Sequence, residues 1–211
     1  MRMTKLGHSC VRLEKDGVQL VIDPGVWSGT DPLAGASALL ITHEHIDHLD
    51  DGVVRGALER DGGLELWTVP SVAEQFTGFG GRVHSVGHGD AFTASGFDVH
   101  VYGHDHAPIH PDMPNVANVG FAIDGNVFHP GDAFTIPDEP VKTLLLPISA
   151  PWMKASEMVD FARAIRPQIS YGIHDELLND NGLGLVQMIA GGLMSGAGEY
   201  TRLAPGESAD I

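Results

Sequence analysis

The segment 43–48 carries the densest set of reactive side chains in this chain. It reads His-Glu-His-Ile-Asp-His and follows directly on the apolar run 39–41. Imidazole and carboxylate groups crowded together beside a buried strand would lose hydration energy unless a cation compensated them. Zinc is such a cation, because neutral imidazole nitrogens and carboxylate oxygens are its usual ligands when thiolates are absent. The segment therefore predicts a metal site at the end of a strand.

The spacing within this segment divides the ligands into two sets. In extended backbone alternate residues point the same way, so His43 and His45 can hold one ion while Glu44 points elsewhere. Asp47 and His48 then fall past a bend and would face a second ion. The one-metal helical motif His-Glu-x-x-His does not fit, because position 47 is Asp. The alternative is a surface cluster of polar loop residues.

The segment resembles the His-x-His-x-Asp-His signature of the metallo-β-lactamase-fold hydrolases. Other stretches match that family in order, and they are Ile22-Asp23-Pro24, a His-bearing loop at 104–110, Gly131-Asp132, and His174 after a strand. The resemblance covers nearly the whole chain. A Gly-His-Ser element at 7–9 makes it similar to small stand-alone members, in the branch of the L-ascorbate-6-phosphate lactonase and the N-acylethanolamine phospholipase D.

This resemblance implies a complete ligand set for two metals. The first metal would be held by His43, His45 and a third His, the second by Asp47, His48 and His174, with Asp132 bridging the two. A shared carboxylate suits paired metals about 3.5 to 4 Å apart. The resemblance implies two zinc ions, with manganese or iron as alternatives.

Three histidines compete for the third position at the first metal. His104, His106 and His110 all lie in one loop, and their spacing alone does not decide among them. We choose His106, because small relatives commonly carry the ligand before an Ala in a loop that follows a strand. His104 is then a surface residue and His110 a partner of a ligand.

Three flanking residues have both a catalytic and a structural interpretation. Asp23 either forms a turn before Pro24 or accepts the free N–H of a ligand His, and the resemblance favours the second role. His8 lies at the pocket or is a hydrogen-bonded core His. His129 orients the site or bonds to backbone at a strand end. His8 and His129 are the candidates for protonating a leaving group.

The predicted chemistry is hydrolysis by a metal-bound hydroxide, because zinc lowers the pKa of bound water to about 7. Asp47 would position or deprotonate this nucleophile as well as bind metal. The predicted substrate is a small ester, lactone or phosphodiester. The alternatives are a nucleic-acid phosphodiesterase of the same superfamily, an iron-dependent oxidoreductase on the same fold, and a metal-binding module without catalysis.

A loop at 148–154 is expected to border the cleft, as in relatives. Trp152 and Met153 could form an apolar wall there, and Lys154 could meet a carboxylate or phosphate. The alternative places Trp152 in the core and Lys154 in solvent.

The net charge of −16, from 12 basic and 28 acidic residues, argues against a nucleic-acid partner. It does not exclude a small anionic substrate, since two zinc ions would dominate the local field. We expect a small-molecule substrate, with anions included, and the composition is compatible with a homo-oligomer.

The chain contains no apolar run of about 18 residues, so no membrane span is expected. With one cysteine, Cys10, and no signal peptide, the expected location is cytoplasmic.

The pattern of apolar residues predicts the elements that position these groups. Strands are predicted at 6–13, 18–22, 38–41, 64–69, 97–102, 119–123, 126–129, 141–146 and 169–173. Helices are predicted at 51–60, 71–76 with Ser71 as N-cap, 156–165 and 183–194. Asp16-Gly17 predicts a hairpin turn, and Val159, Phe161 and Leu185 are predicted core residues. These elements predict one α+β domain over 1–211, a four-layer αβ/βα sandwich with two similar halves.

Overall fold

The computed structural model describes all 211 residues. The strands are β1 (Arg2–Gly7), β2 (Cys10–Lys15), β3 (Val18–Ile22), β4 (Ala38–Ile41), β5 (Glu65–Thr68), β6 (Val83–Ser85), β7 (Ala91–Ala94), β8 (Phe97–Tyr102), β9 (Gly120–Ile123), β10 (Val127–His129), β11 (Thr143–Pro147), β12 (Ile169–Ile173), β13 (Glu199–Thr201) and β14 (Ser208–Asp210). The helices are α1 (Asp51–Arg60), α2 (Pro70–Ala73), α3 (Ala155–Ile165) and α4 (Asp180–Leu193), and a 3-10 helix (Glu74–Arg82) follows α2. None of the helices combines the length and the apolar character that crossing a membrane requires.

Two mixed sheets of seven strands each organise the chain. The first has the order β14-β1-β2-β3-β4-β5-β6, and the second has the order β13-β12-β11-β10-β9-β8-β7. Strands β1 to β3 pair antiparallel and β3 to β6 pair parallel, and the second sheet repeats this change at β10. The two halves therefore share one design, and only β14 crosses from the end of the chain to the first sheet. This is the predicted sandwich of the metallo-β-lactamase fold.

Alternate residues of the second sheet pack into two separate cores. Leu145 of β11 joins the core shared with the first sheet, whereas Leu144 and Leu146 pack with α3 and α4. Phe121 and Ala122 of β9 divide in the same way. Because side chains alternate across a strand, this division places the sheets face to face and the two helices outside the second one. Burial on both faces is what the continuous apolar run of β11 predicts.

Several predicted elements agree closely with the structure. Helix α1 and strands β8 and β12 have the predicted bounds, and the predicted hairpin joins β2 to β3. Asp16 and Gly17 both have positive φ, at 52° and 82°, as a two-residue hairpin of type I′ requires. Cys10 is fully buried, and burial raises the pKa of its thiol to about 12, so it is an inert core residue.

The structure corrects four of the predictions. The strand predicted at 6–13 is two strands, because the chain turns at His8 and Ser9. Ser71 is not an N-cap, because Pro70 fixes the first helical position and α2 begins there. Four short edge strands, β6, β7, β13 and β14, were missed. Leu185 is 52% exposed on α4, of which only Ala190 is buried.

Candidate metal centre

The predicted ligands meet at one edge of the sandwich, where several strands end. His8 follows β1, the segment 43–48 follows β4, and the second sheet contributes residues just past β8, β10 and β12. The pairing directions place the carboxyl ends of these strands on one side. Asp50 caps α1 by accepting from the amide of Val53 at 3.1 Å, so this helix starts directly behind the segment and fixes where its loop ends.

The structure brings the seven predicted ligands, together with His8, into two groups. The first group consists of His43, His45, His106 and Asp132, and the second consists of His8, Asp47, His48 and His174. Within each group the donor atoms lie within 4.8 Å of one another. His43 Nε2 lies 3.2 Å from His45 Nδ1, so alternate residues of the segment do face the same point.

Asp132 connects the two groups. Its Oδ2 lies 3.3 Å from His106 Nε2 and 3.1 Å from His174 Nε2, while its Oδ1 lies 3.1 Å from His48 Nε2. One carboxylate thus contacts imidazoles of both groups. This is the placement expected of a bridging ligand in a two-metal site.

Four buried atoms at this centre make no hydrogen bond of good geometry, although the three ring nitrogens lie 3.1 to 3.3 Å from oxygens of Asp132. They are Nε2 of His48, His106 and His174, and Oδ1 of Asp132. A buried polar atom without a partner is costly, and several such atoms aimed at the same space need an explanation. Imidazole nitrogens and a carboxylate oxygen are a zinc-type donor set, so the residues present fit a divalent metal at each group.

A second layer of hydrogen bonds fixes the orientation of the ligands. Asp23 Oδ2 accepts from His48 Nδ1 at 2.7 Å, which leaves His48 Nε2 free to face Asp132, as predicted for Asp23. The hydroxyl and the amide of Thr42 donate to the same carboxylate at 2.7 and 2.8 Å. His174 uses backbone instead, since its Nδ1 donates to Ser149 O at 2.6 Å, whereas Nδ1 of His43 lies 2.9 Å from the hydroxyl oxygen of Thr42. These contacts select one tautomer for each ring.

Asn118 and Trp152 hold Asp132 in place by hydrogen bonds to its amide and its carboxylate. The amide of Asp132 donates to Asn118 Oδ1 at 3.0 Å, and Asn118 Nδ2 donates to Pro130 O at 3.1 Å. The indole N–H of Trp152 donates to Asp132 Oδ2 at 2.8 Å. A Cβ at Gly131, which has a φ of 62°, would overlap Asn118, so only Gly allows this close approach.

His43 and His45 of the first group differ in protonation from His48 and His174 of the second. Burial lowers the pKa of both His43 and His45, so these rings are neutral and ready to bind metal. Burial also opposes charge on His48 and His174, but neighbouring carboxylates outweigh it. Asp132 and Asp23 raise the pKa of His48 well above its ordinary value, and Asp132 and Asp47 raise the pKa of His174 to about 9.

The two carboxylates of the centre are ionised despite their burial. Burial would raise the pKa of Asp47, but the close contacts of its carboxylate with His174 and His8 hold that pKa far below the ordinary value. The charge of His48 has the same effect on the pKa of Asp132. In the metal-free protein, protons on imidazoles therefore stand in for metal charge beside these carboxylates.

His8 lies in the second group and has a strained backbone. Its Nε2 is 3.3 Å from Asp47 Oδ2, and its Nδ1 accepts from the amide of Glu176 at 3.3 Å. His8 and His174 have positive φ values of 40° and 60°, in a region that residues with a side chain rarely occupy. His8 is thus a buried, hydrogen-bonded His that contacts the second group from behind and does not line the cleft.

His129 does not reach the cleft, in contrast to the predicted role as a proton donor. It is fully buried, its Nε2 donates to Ser9 O at 3.0 Å, and its Nδ1 accepts from the amide of Gly131 at 3.1 Å. Both ring nitrogens are therefore occupied by backbone. His129 positions the loop that carries Asp132 and has no proton to give to a leaving group.

The other two histidines of the 104–110 loop lie on the surface. His104 is exposed beside His88, with ring centroids 4.6 Å apart, and His110 is 60% exposed next to Asp112. His106 is buried, and its Nδ1 contacts Ala107 O. Of the three candidates, only His106 faces the metal-binding groups.

A cleft of about 450 Å³ opens onto the metal centre. Its apolar walls are Trp27, Ile46, Ile109, Pro151, Trp152 and Leu177. Its polar lining consists of Glu44, His45, Asp47, His106, Asp132 and His174. Lys154 does not line the cleft, contrary to the expectation that it could meet an anionic substrate, because its side chain is 80% exposed and pairs with Glu157.

Several residues of the site were not found from the sequence. Thr42 and Asn118 are single polar residues beside apolar runs, and nothing in their local pattern distinguishes them. Trp27 follows Pro24-Gly25 in an irregular segment, where an apolar residue is a weak signal of a binding surface. The bond from Trp152 to Asp132 joins residues 20 positions apart and could not be predicted from spacing.

Comparison with known proteins agrees with this geometry. The family model described as "Beta-lactamase superfamily domain" matches residues 2–174. Protein Rv0786c of Mycobacterium tuberculosis is 36% identical over 88% of this chain and 89% of its own length. A UPF0173 metal-dependent hydrolase of Methanopyrus kandleri is 30% identical over 82% of this chain and 84% of its own.

A solved structure shows the same fold. Igni18, described as a metallo hydrolase from the archaeon Ignicoccus hospitalis, superposes with a TM-score of 0.76 at 21% identity, covering 99% of this chain and 97% of its own. The matched family region contains all seven predicted ligands, from His43 to His174. The chain therefore belongs to the beta-lactamase superfamily, among its metal-dependent hydrolases.

Proposed function

We propose that this protein is a dinuclear zinc hydrolase that cleaves a small ester, lactone or phosphodiester. The observation that carries the proposal is the set of four unpartnered buried atoms around Asp132. They belong to both ligand groups, so one metal would leave part of the set unsatisfied. The first metal would be held by His43, His45 and His106, and the second by Asp47, His48 and His174, with Asp132 common to both.

Bound zinc would supply a hydroxide nucleophile near neutral pH and a Lewis acid for the substrate oxygen. The chain's own residues position the reactants. Asp47 lines the cleft as an ionised carboxylate and can accept a proton or orient the nucleophile. His8 faces Asp47 through Nε2, and the amide of Glu176 occupies its Nδ1. His8 can therefore hold a proton on Nε2 next to Asp47, and because His8 does not line the cleft itself, a leaving group would receive that proton only by way of Asp47.

Metal content and turnover test this proposal together. Protein purified without chelator should contain about two zinc ions per chain by elemental analysis. The zinc form should hydrolyse members of a panel of carboxyesters, lactones, thioesters and phosphodiesters, and a chelator should abolish that activity. His48→Ala should be inactive in the same panel, whereas the surface variant His104→Ala should keep its metal and its activity. A stoichiometry of one that does not change on adding zinc would contradict the dinuclear site.

We further propose that the substrate is not a nucleic acid. A surface with a net charge of −16 repels a long polyanion, whereas a short substrate interacts mainly with the metal centre. Salt-sensitive cleavage of structured RNA at rates well above those for small esters would contradict this. Iron in the protein expressed without added zinc, together with oxygen-dependent turnover, would instead support the oxidoreductase alternative.

A further inference from the structure

Exposed apolar side chains form the walls of the cleft. Ile46 is 67% exposed, Leu177 is 59% exposed and Trp27 is 40% exposed. All three line the opening above the metal centre together with Trp152. Contiguous exposed apolar side chains around a concave site mark a surface that binds an apolar group. Two indoles supply large, rigid contact areas for this purpose.

Trp27 is held rigidly in its wall position. The amide of Val26 donates to Ile46 O at 2.9 Å, which ties the two walls to each other. A Cβ at Gly7 would overlap the carbonyl oxygen of Trp27, and a Cβ at Gly25 would overlap the main chain of Asp47. The indole also lies edge-on to the ring of His8, with centroids 4.8 Å apart. A wall that is ordered in advance loses little entropy when a ligand binds.

The charges lining the cleft favour an uncharged ligand. Glu44, Asp47 and Asp132 all line it, whereas none of its twelve lining residues is Lys or Arg. Two zinc ions would bring four positive charges; these carboxylates and a hydroxide nucleophile would bring four negative ones. The centre would then have almost no net charge to attract an anion. Glu44 would repel a negative group on a part of the substrate away from the reacting atoms.

Resting on the hydrolase function proposed above, we infer that the cleft selects uncharged esters or lactones with an apolar acyl or aryl group. Trp27 is the specificity-determining wall, and Glu44 acts against anionic groups. This narrows the substrate class and disfavours phosphodiesters and substrates with a free carboxylate. It also reverses the expectation that the substrate class includes anions.

Binding of two matched amides tests this selection without requiring turnover. Butanoic acid 4-nitroanilide is uncharged, and succinic acid mono-4-nitroanilide carries a carboxylate where the first has its terminal methyl group. Two of the three tryptophans line the cleft, so quenching of tryptophan fluorescence by the nitroaryl group reports binding to the zinc-loaded protein. Trp67 is buried between His84 and Phe92 and gives a constant background. We expect the uncharged amide to bind about tenfold more tightly.

Variants assign this preference to residues. Glu44→Gln should bring the two affinities to within about threefold of each other, because it removes one repulsive charge. The matched control is Glu59→Gln, an exposed carboxylate on α1, which should leave the ratio unchanged. Trp27→Ala should weaken binding of the uncharged amide about tenfold, and Trp27→Phe should restore most of it. Equal or tighter binding of the succinyl amide, or an unchanged ratio in Glu44→Gln, would overturn the inference.

The corresponding 4-nitrophenyl esters separate this inference from the proposed function. If the amides bind with the expected preference but neither ester is cleaved faster than by Asp47→Ala, the hydrolase proposal fails and the selection stands. If both esters are cleaved and the succinyl ester is preferred, the hydrolase proposal stands and the selection fails.

Discussion

The two candidate ligand groups offer similar donor atoms but differ in their electrostatics. The first site, formed by His43, His45 and His106, has imidazole ligands of its own and shares only Asp132. The second site includes Asp47, and its His48 is hydrogen-bonded to Asp23. His48 and His174 carry protons before metal binds, because carboxylates surround them. A metal at the first site would therefore meet neutral rings at His43 and His45, whereas a metal at the second would have to displace protons.

This difference predicts how the metal affinity of each site depends on pH and on the charge of its ligands. Neutral buried imidazoles make the first site insensitive to mild alkaline pH, but they give it little negative charge to offset an ion. The carboxylates of the second site offset the charge of an ion but also retain protons in its absence. Asp132 belongs to both, so it determines whether the two sites are occupied together.

The largest effect is expected for the residue that the two sites share. Asp132→Ala should empty both sites. The loss of activity should exceed that of variants in residues that only orient ligands, which is typically about 10- to 100-fold. Elemental analysis and turnover of the best ester in the panel measure this. Asp160→Ala, which removes an exposed carboxylate on α3, is the control and should match the wild-type protein. Retention of two metals in Asp132→Ala would show that the sites are independent.

The next largest effect is expected for variants that remove a ligand of one site only. His106→Ala should leave about one metal per chain, held in the second site, and His174→Ala should leave about one, held in the first. Both variants should lose nearly all activity, because a two-metal site needs both ions. His104→Ala should keep two metals, since that ring lies on the surface. Loss of both metals from either variant would mean that the sites fill only together.

A smaller effect is expected from the residue behind the second site. Asp23→Asn keeps the size of the side chain but weakens the hydrogen bond that orients His48. It should lower metal affinity or activity by about 10- to 100-fold. Chelator competition on Asp23→Asn in the His106→Ala background, in which only the second site remains, should show the full loss. The same change in the His174→Ala background should show little, and equal losses in both would contradict the assignment of Asp23.

The smallest effect concerns pH. The pKa of His174 is raised to about 9 in the metal-free protein, so below this pH metal must displace its proton. The pKa of His48 is raised as well, so affinity of the second site should rise steadily as pH increases from 7 to 9. The pKa values of His43 and His45 are lowered, so affinity of the first site should change little over this range. Chelator competition between pH 7 and 9.5 measures the affinity of the second site in His106→Ala and of the first site in His174→Ala. The same pH dependence of affinity in both variants would contradict the proposed difference between the sites.

The ligands contributed by the N-terminal half of the chain could be predicted from the sequence because they lie in one contiguous segment. Four candidate ligands lie within the segment 43–48, directly after a buried strand, and this density favoured a metal site over a surface cluster of polar loop residues. The second half contributes single residues after three strands, and these were placed by resemblance to a family. His129 shows the limit of this reasoning, because a His next to the Gly131-Asp132 pair was equally consistent with the cleft and with the interior.

Local sequence determined the elements with a strong pattern and missed those that depend on neighbours. The Asp16-Gly17 hairpin and helix α1 form from their own turn and capping residues. The strands β6, β7, β13 and β14 have three or four residues each and exist because a sheet edge pairs with them. Leu185 has an apolar side chain at helical spacing, yet its exposure depends on how α4 lies against the second sheet.

The sequence by itself indicated the fold class and a metal-binding segment with four candidate ligands, because those depend on residue type and local spacing, and family resemblance supplied the other three candidates. Only the tertiary structure decided which histidine completes the first site, which atoms lack partners, and which walls line the cleft. These features join residues far apart in the chain, such as Trp27 with Ile46 or Trp152 with Asp132. Contacts of that kind arise only when the two sheets pack, because packing sets the distances between strand ends.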